Sequence, residues 1–556
     1  MSERIFIGAA WPYADGPLHL GHIAGAYLPP DIFARYHRTK GNEVLMVSGS
    51  DQHGTPITIK AEQEGKKPSE IVAQYHQQFL DSWQKLGISF DLFTTTGTAN
   101  HAQVAQDIFL TLLNRGHIYR STTTQPFCPH CHRFLPDRYV EGICPYCHSS
   151  GTRGDQCDEC GQSINPVELI EPHCRLCGTA PQFKDSEHFF FKLTAFSDRL
   201  LAWVKQQTHW RQNVLNFTMH YLKEGLKDRA ITRDIEWGIP VPVDGFDDKR
   251  LYVWFEAVIG YLSATKEWGK SSGDEESWRS FWQGEVKSYY FIGKDNILFH
   301  TIIWPAMLMG YDDLNLPYDV PANEFLTIEG KRLSTSRNWA VWLPDYLSRY
   351  DPDPLRYLLS INMPESGDTD FSWHEFFRRN NDELVATYGN LVHRVLTFVY
   401  RNFDGCVPVP GELDYRDTEN MEGAKSALDE IGVLLSGCHF RQAIMRAMQL
   451  AQETNRYLDV KSPWKAIKQD RQAAANSLYV AITVISCLKT ALYPFLPFSS
   501  QQLHEFLGFE GSVEDDGWQL HIPSPGQKLL PPKPLFSKLD EGLVGEETSR
   551  LGSVHY

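Results

Sequence analysis

Eight of the chain's eleven cysteines stand in four Cys-x-x-Cys pairs: Cys128/Cys131, Cys144/Cys147, Cys157/Cys160 and Cys174/Cys177. No other feature restricts the fold as much. Two thiolates two residues apart form a knuckle that supplies half of a tetrahedral sulfur site, so four knuckles complete two zinc sites. Redox dithiols do not come in fours. Disulfides do not suit the cytoplasm, the compartment expected from a start, "MSERIF", that enters a strand at once and leaves no room for a leader. Gly142, Gly151 and Gly154 lie between the knuckles and apolar periodicity is weak, as in segments folded by their metals. Four thiolates leave no open position for a substrate, so both sites read as structural. Cys406, Cys438 and Cys487 lack this spacing and read as small buried hydrophobes.

The knuckles interrupt an alternation of strands and helices that runs to about residue 117. "RIFIGAA" (4–10) is a short apolar run that reads as a buried strand, and "LHLGHIAGAYLPPDIFARYHR" after it carries apolar residues at helical spacing. Where a strand hands over to a helix, free N–H groups and the helix dipole favour an anionic ligand, so His19 and His22 stand at a candidate phosphate site. A second strand, in "EVLMVSGSDQHGTP", ends in Ser50, Asp51, Gln52 and His53 and aims them at the same crevice. "SEHFFFKL" closes the insertion, after which the sheet resumes. Its second half contains "YVWFEAVIGYL" and "SYYFIGKDNILFH", the latter a strand, and then the strand and polar loop of "EFLTIEGKRLSTSRN". From about Asp353 strand signals vanish and helical periodicity continues to about residue 507, giving an all-α third. The tail from Gly511 is rich in Gly, Pro and charge and is expected to wrap loosely over the surface.

With 556 residues the chain exceeds one core and calls for roughly three or four domains. Its longest apolar stretch, "LYVAITVISCL", is too short to cross a membrane and reads as a buried helix. A net charge of −16, from 53 Lys+Arg against 69 Asp+Glu, excludes a protein that coats nucleic acid non-specifically. Any nucleic-acid surface is local.

"HLGH" after the first strand and "KRLSTSR" after a late strand resemble the paired signatures of class I aminoacyl-tRNA synthetases, usually His-Ile-Gly-His and Lys-Met-Ser-Lys-Ser. "AWPYADGPLHLGH", "GSDQHGTP", "RDIEWGIPVP", "YVWFEAVIGY" and "FIGKDNILFHTIIWPAML", with knuckles between the halves, extend the resemblance to the methionyl-tRNA synthetases over nearly the whole chain. There is no room for the large editing insertion of the isoleucine, valine and leucine enzymes. The resemblance implies a multidomain α/β protein: a Rossmann-like parallel sheet split by a zinc-knuckle insertion and followed by an all-α bundle. It divides the chain into catalytic halves at 1–117 and 229–320, the insertion at 118–228, a signature-loop and stem-contact region at 321–380, and an anticodon-binding domain with its tail at 381–556. It implies ATP with Mg2+, L-methionine and tRNA(Met) as partners and no membrane.

Residue by residue, the resemblance implies that His19 and His22 donate to ATP phosphates, that Gly21 leaves room for the adenine or ribose, and that Gly293 and Asp295 contact the adenosine. Asp51 becomes the counter-ion of the methionine ammonium. Ala10, Tyr13, Trp254, Ala257, Tyr261, Phe299 and His300 match the thioether pocket, with Trp11 and Val258 standing where leucine and proline are common. Asn390, Arg394 and Trp464 match anticodon-reading positions. The first two, four apart, share one helix face, and stacking plus base-edge hydrogen bonds suit a splayed loop. Arg378, Arg379 and Arg401 add local positive charge.

The basic loop departs furthest from its family. Aligned on Ser334 and Ser336, the first signature lysine becomes Arg332 and the second Thr335. Lys331 and Arg332 are then expected to stabilise charge while Ser334 and Thr335 position phosphates. Single-zinc relatives resemble only the two middle knuckles, which implies nesting: Cys144, Cys147, Cys157 and Cys160 on one zinc, and Cys128, Cys131, Cys174 and Cys177 on the other. Two further readings stay open: a zinc-knuckle RNA-binding or scaffold paralogue with a decayed nucleotide site, and another small class I synthetase.

Overall fold

The computed structural model describes residues 2–154, 157, 159–160, 162, 164–311 and 313–553, with the side chains of Asp137 and Ser336 outside the description. Strands β1 (Arg4–Ala9), β2 (Glu43–Ser50) and β3 (Leu92–Thr95) form the first half of a sheet. A long antiparallel arm, β4 (Ile118–Cys128) with β5 (Gln182–Phe191), follows, and the sheet resumes with β6 (Lys287–Gly293) and β7 (Ala322–Asn323). All five sheet strands are parallel, in the order β7-β6-β1-β2-β3. Both faces are covered, which is why β1 reads as an unbroken apolar run. Its pleat sends Ile5, Ile7 and Ala9 into a core shared with the helix Leu28–Thr39 and the helical third, and Phe6 into a core with the helices Ala99–Asn114 and Gly260–Ser272. The chain leaves β1 towards β2 and returns on its other side as β6. The crevice at the carboxyl ends of β1 and β6 is therefore the sheet's switch point, where open α/β folds bind ligands.

The β4–β5 pairing runs from Ile118↔Phe191 to Phe127↔Gln182 and carries the knuckles at its far end. Leu135, Tyr139, Val140, Ile164 and Leu169 gather there around the cysteines and rest on Ile59 of the helix Thr55–Glu64. Tyr139 donates to Thr58 Oγ1 at 2.8 Å and so fastens the module to that helix.

Three expectations need correction. "YVWFEAVIGYL", counted with the sheet, is helical (Val253–Glu256, Ala257–Ile259, Gly260–Ser272), because a short, largely buried apolar run carries no clear period to tell strand from helix. Strands do not end at Asp353. β8 (Leu326–Ile328), β9 (Lys331–Arg332) and β10 (Thr369–Phe371) form a small sheet, and β10, only three residues with Asp370 at its centre, is too short to show alternation. The tail is not loose. Val513 and Leu529 are buried, Asn381 Oδ1 accepts from the Leu539 N–H at 2.9 Å, and buried Glu547 accepts from the Tyr350 hydroxyl at 2.7 Å and pairs with Arg349. The helix Arg471–Leu492 is long and apolar enough to cross a membrane, but its apolar window is 94% buried among its neighbours, as a core helix.

The catalytic layer meets the helical third at Arg356, which is 0% exposed. Its guanidinium donates to Asp31 Oδ2 at 2.6 Å and to the carbonyls of Phe495 (2.8 Å), Pro494 (2.9 Å) and Leu86 (3.3 Å). Asp31 also accepts from Arg35 Nε and from the Ser89 amide and hydroxyl. Burial raises its pKa, but Arg35 and Arg356 prevail and hold it at about 2. Removing one partner of such a pair strands a buried charge, so Arg356→Ala should destabilise the protein by about 3–5 kcal/mol in denaturant unfolding. A loss under about 1 kcal/mol would show the contact to be solvated.

Candidate active site

His19 caps the helix that follows β1 and His22 occupies its first turn. The rings stack with centroids 3.7 Å apart, and His22 Nδ1 accepts from the His19 backbone N–H at 3.2 Å, which leaves the His22 Nε2–H as a donor. Burial pushes the His22 pKa down to about 4; burial and then His22 push His19 well below its usual range. Both imidazoles are neutral. His19 Nδ1 is buried and meets no hydrogen-bond partner among the described residues, so the turn keeps an unused polar atom at the switch point. The helix passes through a π-helical segment, Ile23–Tyr27, before settling into α geometry. π segments also hold Phe299–Ile303 and Asn380–Gly389, the latter leading directly to Asn390. Such bulges recur at functional sites because they re-aim side chains without breaking the helix.

The basic loop comes against this turn. β8 and β9 form a hairpin through Glu329 and Gly330, both at positive φ, and the chain continues through Leu333 to a 3-10 turn, Thr335–Arg337. A Cβ on Gly21 would stand 2.5 Å from the Leu333 side chain, so glycine here lets the loop approach the turn closely. Beyond the loop the Leu20 amide donates to Val341 O (3.1 Å) and the Leu343 amide to Leu18 O (2.8 Å), bringing the Trp342 ring 5.9 Å from His19. Lys331 and Arg332 are exposed, and Lys331 Nζ lies 4.3 Å from the centre of the Trp339 ring. Arg337 donates to Ser334 Oγ at 3.3 Å and Thr335 is exposed. The Ser336 side chain lies outside the described residues. At the end of β6 a Cβ on Gly293 would stand 2.6 Å from Asp295 Oδ1, so glycine lets that carboxylate fold back over the strand end.

Beside the crevice the aromatic set closes into one group. Trp254 Nε1 donates to Tyr13 Oη at 3.2 Å and its ring meets Phe299 at 5.1 Å. His300 Nδ1 donates to Asn296 O (2.9 Å), so its Nε2 accepts from the Tyr261 hydroxyl (2.8 Å), and burial holds its pKa at about 4. Asp51 pairs along the backbone with Tyr13 and accepts from the His53 amide at 3.1 Å. Ala10 is half-buried with its amide on Phe291 O, and Ala257 lies half-buried on the Trp254 helix. Val258 turns away into the core. Trp11 fits because two glycines make room: a Cβ on Gly49 would lie 2.2 Å and one on Gly260 2.7 Å from its indole.

Two polar residues of this region, Glu256 and His101, escaped the sequence reading, which places His53 at the crevice without partners. Glu256, His53 and His101 form a buried cluster, whose signal was one carboxylate inside the apolar "YVWFEAVIGYL".

The eight knuckle sulfurs collect as Cys128, Cys131, Cys174, Cys177 and as Cys144, Cys147, Cys157, Cys160, each set within 4.8 Å. Sulfur separations of 3.5 and 4.0 Å in one group and 3.8 and 3.6 Å in the other suit tetrahedral ligation, for which Zn–S bonds of about 2.3 Å set S···S near about 3.8 Å. In the helical third the Arg394 guanidinium lies 4.3 Å from the Trp464 ring and donates to Asn455 Oδ1 (3.3 Å), while Asn390 is exposed one turn away. Arg378 and Arg379 are tied to Glu375 and Glu383, whereas Arg401 is exposed.

A parallel sheet with a His-x-Gly-His turn at its switch point, faced by a basic serine-rich loop, defines a class I aminoacyl-tRNA synthetase. The family model described as tRNA synthetases class I (M) matches residues 5–396, and that of the anticodon binding domain of methionyl tRNA ligase matches 407–555. The methionine–tRNA ligases of Dehalococcoides mccartyi and Thermomicrobium roseum are 63% and 53% identical, over 99% of this chain and 100% and 99% of their own lengths. Among solved structures, Mycobacterium tuberculosis methionyl-tRNA synthetase in complex with methionyl-adenylate aligns at a TM-score of 0.80 and 26% identity, covering 96% of this chain and all of that one. The chain belongs to the methionyl-tRNA synthetases, and its reaction is theirs: methionine is activated with ATP and passed to tRNA(Met).

The Gly21–Leu333 contact yields a test. Gly21→Ala should force the Leu333 side chain aside, at a cost of about 1 kcal/mol, and slow methionine-dependent ATP–pyrophosphate exchange by up to about tenfold. Leu333→Ala in the same chain should restore most of the rate; a Gly21→Ala enzyme of wild-type rate would show that the contact does not position the loop.

Proposed function

We propose that adenylate formation takes place between the His19–His22 turn and the 331–337 loop. The observation that carries this reading is their direct contact, Leu333 against Gly21, at the sheet's switch point. A methionine carboxylate oxygen attacks the α-phosphorus of ATP, which enters as its Mg2+ complex, and pyrophosphate leaves. The terminal ribose hydroxyl of tRNA then attacks the acyl carbon and AMP leaves. No enzyme nucleophile is required, so catalysis rests on positioning and charge stabilisation. His19 and His22, neutral through burial, donate hydrogen bonds without adding charge, and the helix N-terminus adds its dipole. Positive charge falls to Arg332 and Lys331, while Ser334, Thr335 and Ser336 position phosphates, and Gly293 and Asp295 hold the adenosine. Asp51 receives the ammonium. Tyr13, Trp254, Tyr261, Phe299 and His300, with Ala10, Trp11 and Ala257, enclose the thioether; Val258 supports that wall from the core.

Each four-cysteine group would hold one zinc ion with no open coordination position, so the zinc is structural: it braces the module that rests on the helix following Asp51. Asn390, Arg394 and Trp464 would read the anticodon, the guanidinium over the indole fixing one flat surface for stacking. The domain division at 117, 228, 320 and 380 and a cytoplasmic location, where tRNA is charged, belong to the same reading.

If Arg332 stabilises charge mainly in the transition state, Arg332→Ala should slow single-turnover adenylate formation by about 10²–10³-fold with methionine affinity unchanged. No slowing in Arg332→Ala or in the Lys331→Ala, Arg332→Ala double variant would remove the loop from the chemistry. Trp464→Ala should weaken tRNA binding by about 1–3 kcal/mol and leave pyrophosphate exchange intact. An equal fall in both assays would make Trp464 a packing residue.

A further inference from the structure

Glu256 is the sole acid in its apolar run and is 0% exposed. Its oxygens meet His53 Nδ1 at 2.9 Å and His101 Nε2 at 2.5 Å, and since an ionised carboxylate only accepts, both imidazoles donate. His101 is held from behind by Ser263 Oγ at 2.8 Å. His53 faces two ways: its ring binds Glu256 and its backbone N–H binds Asp51 Oδ1 at 3.1 Å. Glu256 itself sits between Trp254 and Ala257 on the helical run that walls the thioether pocket. One buried carboxylate thus ties the end of β2, which carries Asp51, to the opposite wall of the pocket. A packing role alone would not call for a charge here, because a buried carboxylate is costly unless fully hydrogen-bonded.

We propose that Glu256, acting through His53, is a positioning residue for the ammonium of the amino-acid substrate: it fixes the Asp51 carboxylate and adds a second negative charge behind it. Burial, then the charges of Glu256 and Asp15, push the Asp51 pKa well above its usual range. The Asp51 carboxylate is therefore costly to ionise in the empty site, and an arriving ammonium would favour its ionised form. The inference rests on Asp51 being the ammonium counter-ion, and the experiment separates the two.

L-methioninol, which keeps the amine, and 4-(methylthio)butan-1-ol, which lacks it, are titrated calorimetrically into the full-length protein. The ratio of their Kd values measures amine recognition. Asp51→Asn should collapse the ratio; a ratio left intact overturns the counter-ion reading itself. With that reading upheld, Glu256→Gln should cut the ratio about tenfold, the scale of one charged hydrogen bond. His53→Ala should do the same, and His53→Asn, whose amide nitrogen takes the place of Nδ1, should restore it. A wild-type ratio in Glu256→Gln and His53→Ala, or equal weakening of both ligands, overturns the role of Glu256. Should Glu256→Gln fail to fold, the His53→Ala and His53→Asn pair decides alone.

Discussion

The buried junction of Asp31 with Arg35 and Arg356 fixes how the two functional ends of the molecule stand to each other. A guanidinium with no solvent contact is tolerated only when its donors are met, and those of Arg356 find one carboxylate and four backbone carbonyls. These partners come from three stretches, the helix Leu28–Thr39, the end of the helix Pro68–Leu86, and the adjacent carbonyls of Pro494 and Phe495 after the helix Arg471–Leu492, while Arg356 itself lies on Pro352–Ile361. The fork geometry of arginine sets directions as well as distances. The crevice at the sheet's switch point and the Arg394–Trp464 cluster are thereby built on one continuous core.

Within the crevice, charge is divided between two elements. Burial keeps the His19 and His22 rings neutral, and the exposed Lys331 and Arg332 sit on a short hairpin opposite. The hairpin is anchored on both sides. Leu333 meets Gly21, and Asn338 accepts from the Gly552 amide at 3.0 Å and donates to the Ser553 carbonyl at 2.5 Å. A threonine in place of the second signature lysine is thus accompanied by a loop whose base is firmly held.

The pocket shows how a departure from a family pattern is absorbed. Tryptophan is far larger than the leucine common at position 11, yet its indole lies between Gly49 and Gly260, where any side chain would collide. The three residues act as one unit of shape. Val258, the other departure, is buried and belongs to the core cluster that also holds Phe255 and Ile259.

The sequence by itself placed the cysteine knuckles and the strand-to-helix turn, because each depends on residue types at short fixed spacings: two cysteines three apart, two histidines on one turn, an apolar strand before a helix; the reaction class came from the resemblance of widely separated motifs to a known family. It also located the buried helix around residues 478–488 and the polar end of β2. It misjudged the Tyr252–Leu262 run, since a short, largely buried apolar run shows no clear period to separate helix from strand, and it missed β10, whose three residues pair with β8. Glu256 was visible as an oddity but carried no meaning until its partners at positions 53 and 101 came within hydrogen-bond distance. Only the tertiary structure decided that Leu333 fills the space over Gly21, that two glycines admit Trp11, and that the tail clamps the signature loop. These are contacts between residues far apart in the chain, set by close packing, on which local sequence spacing has no hold.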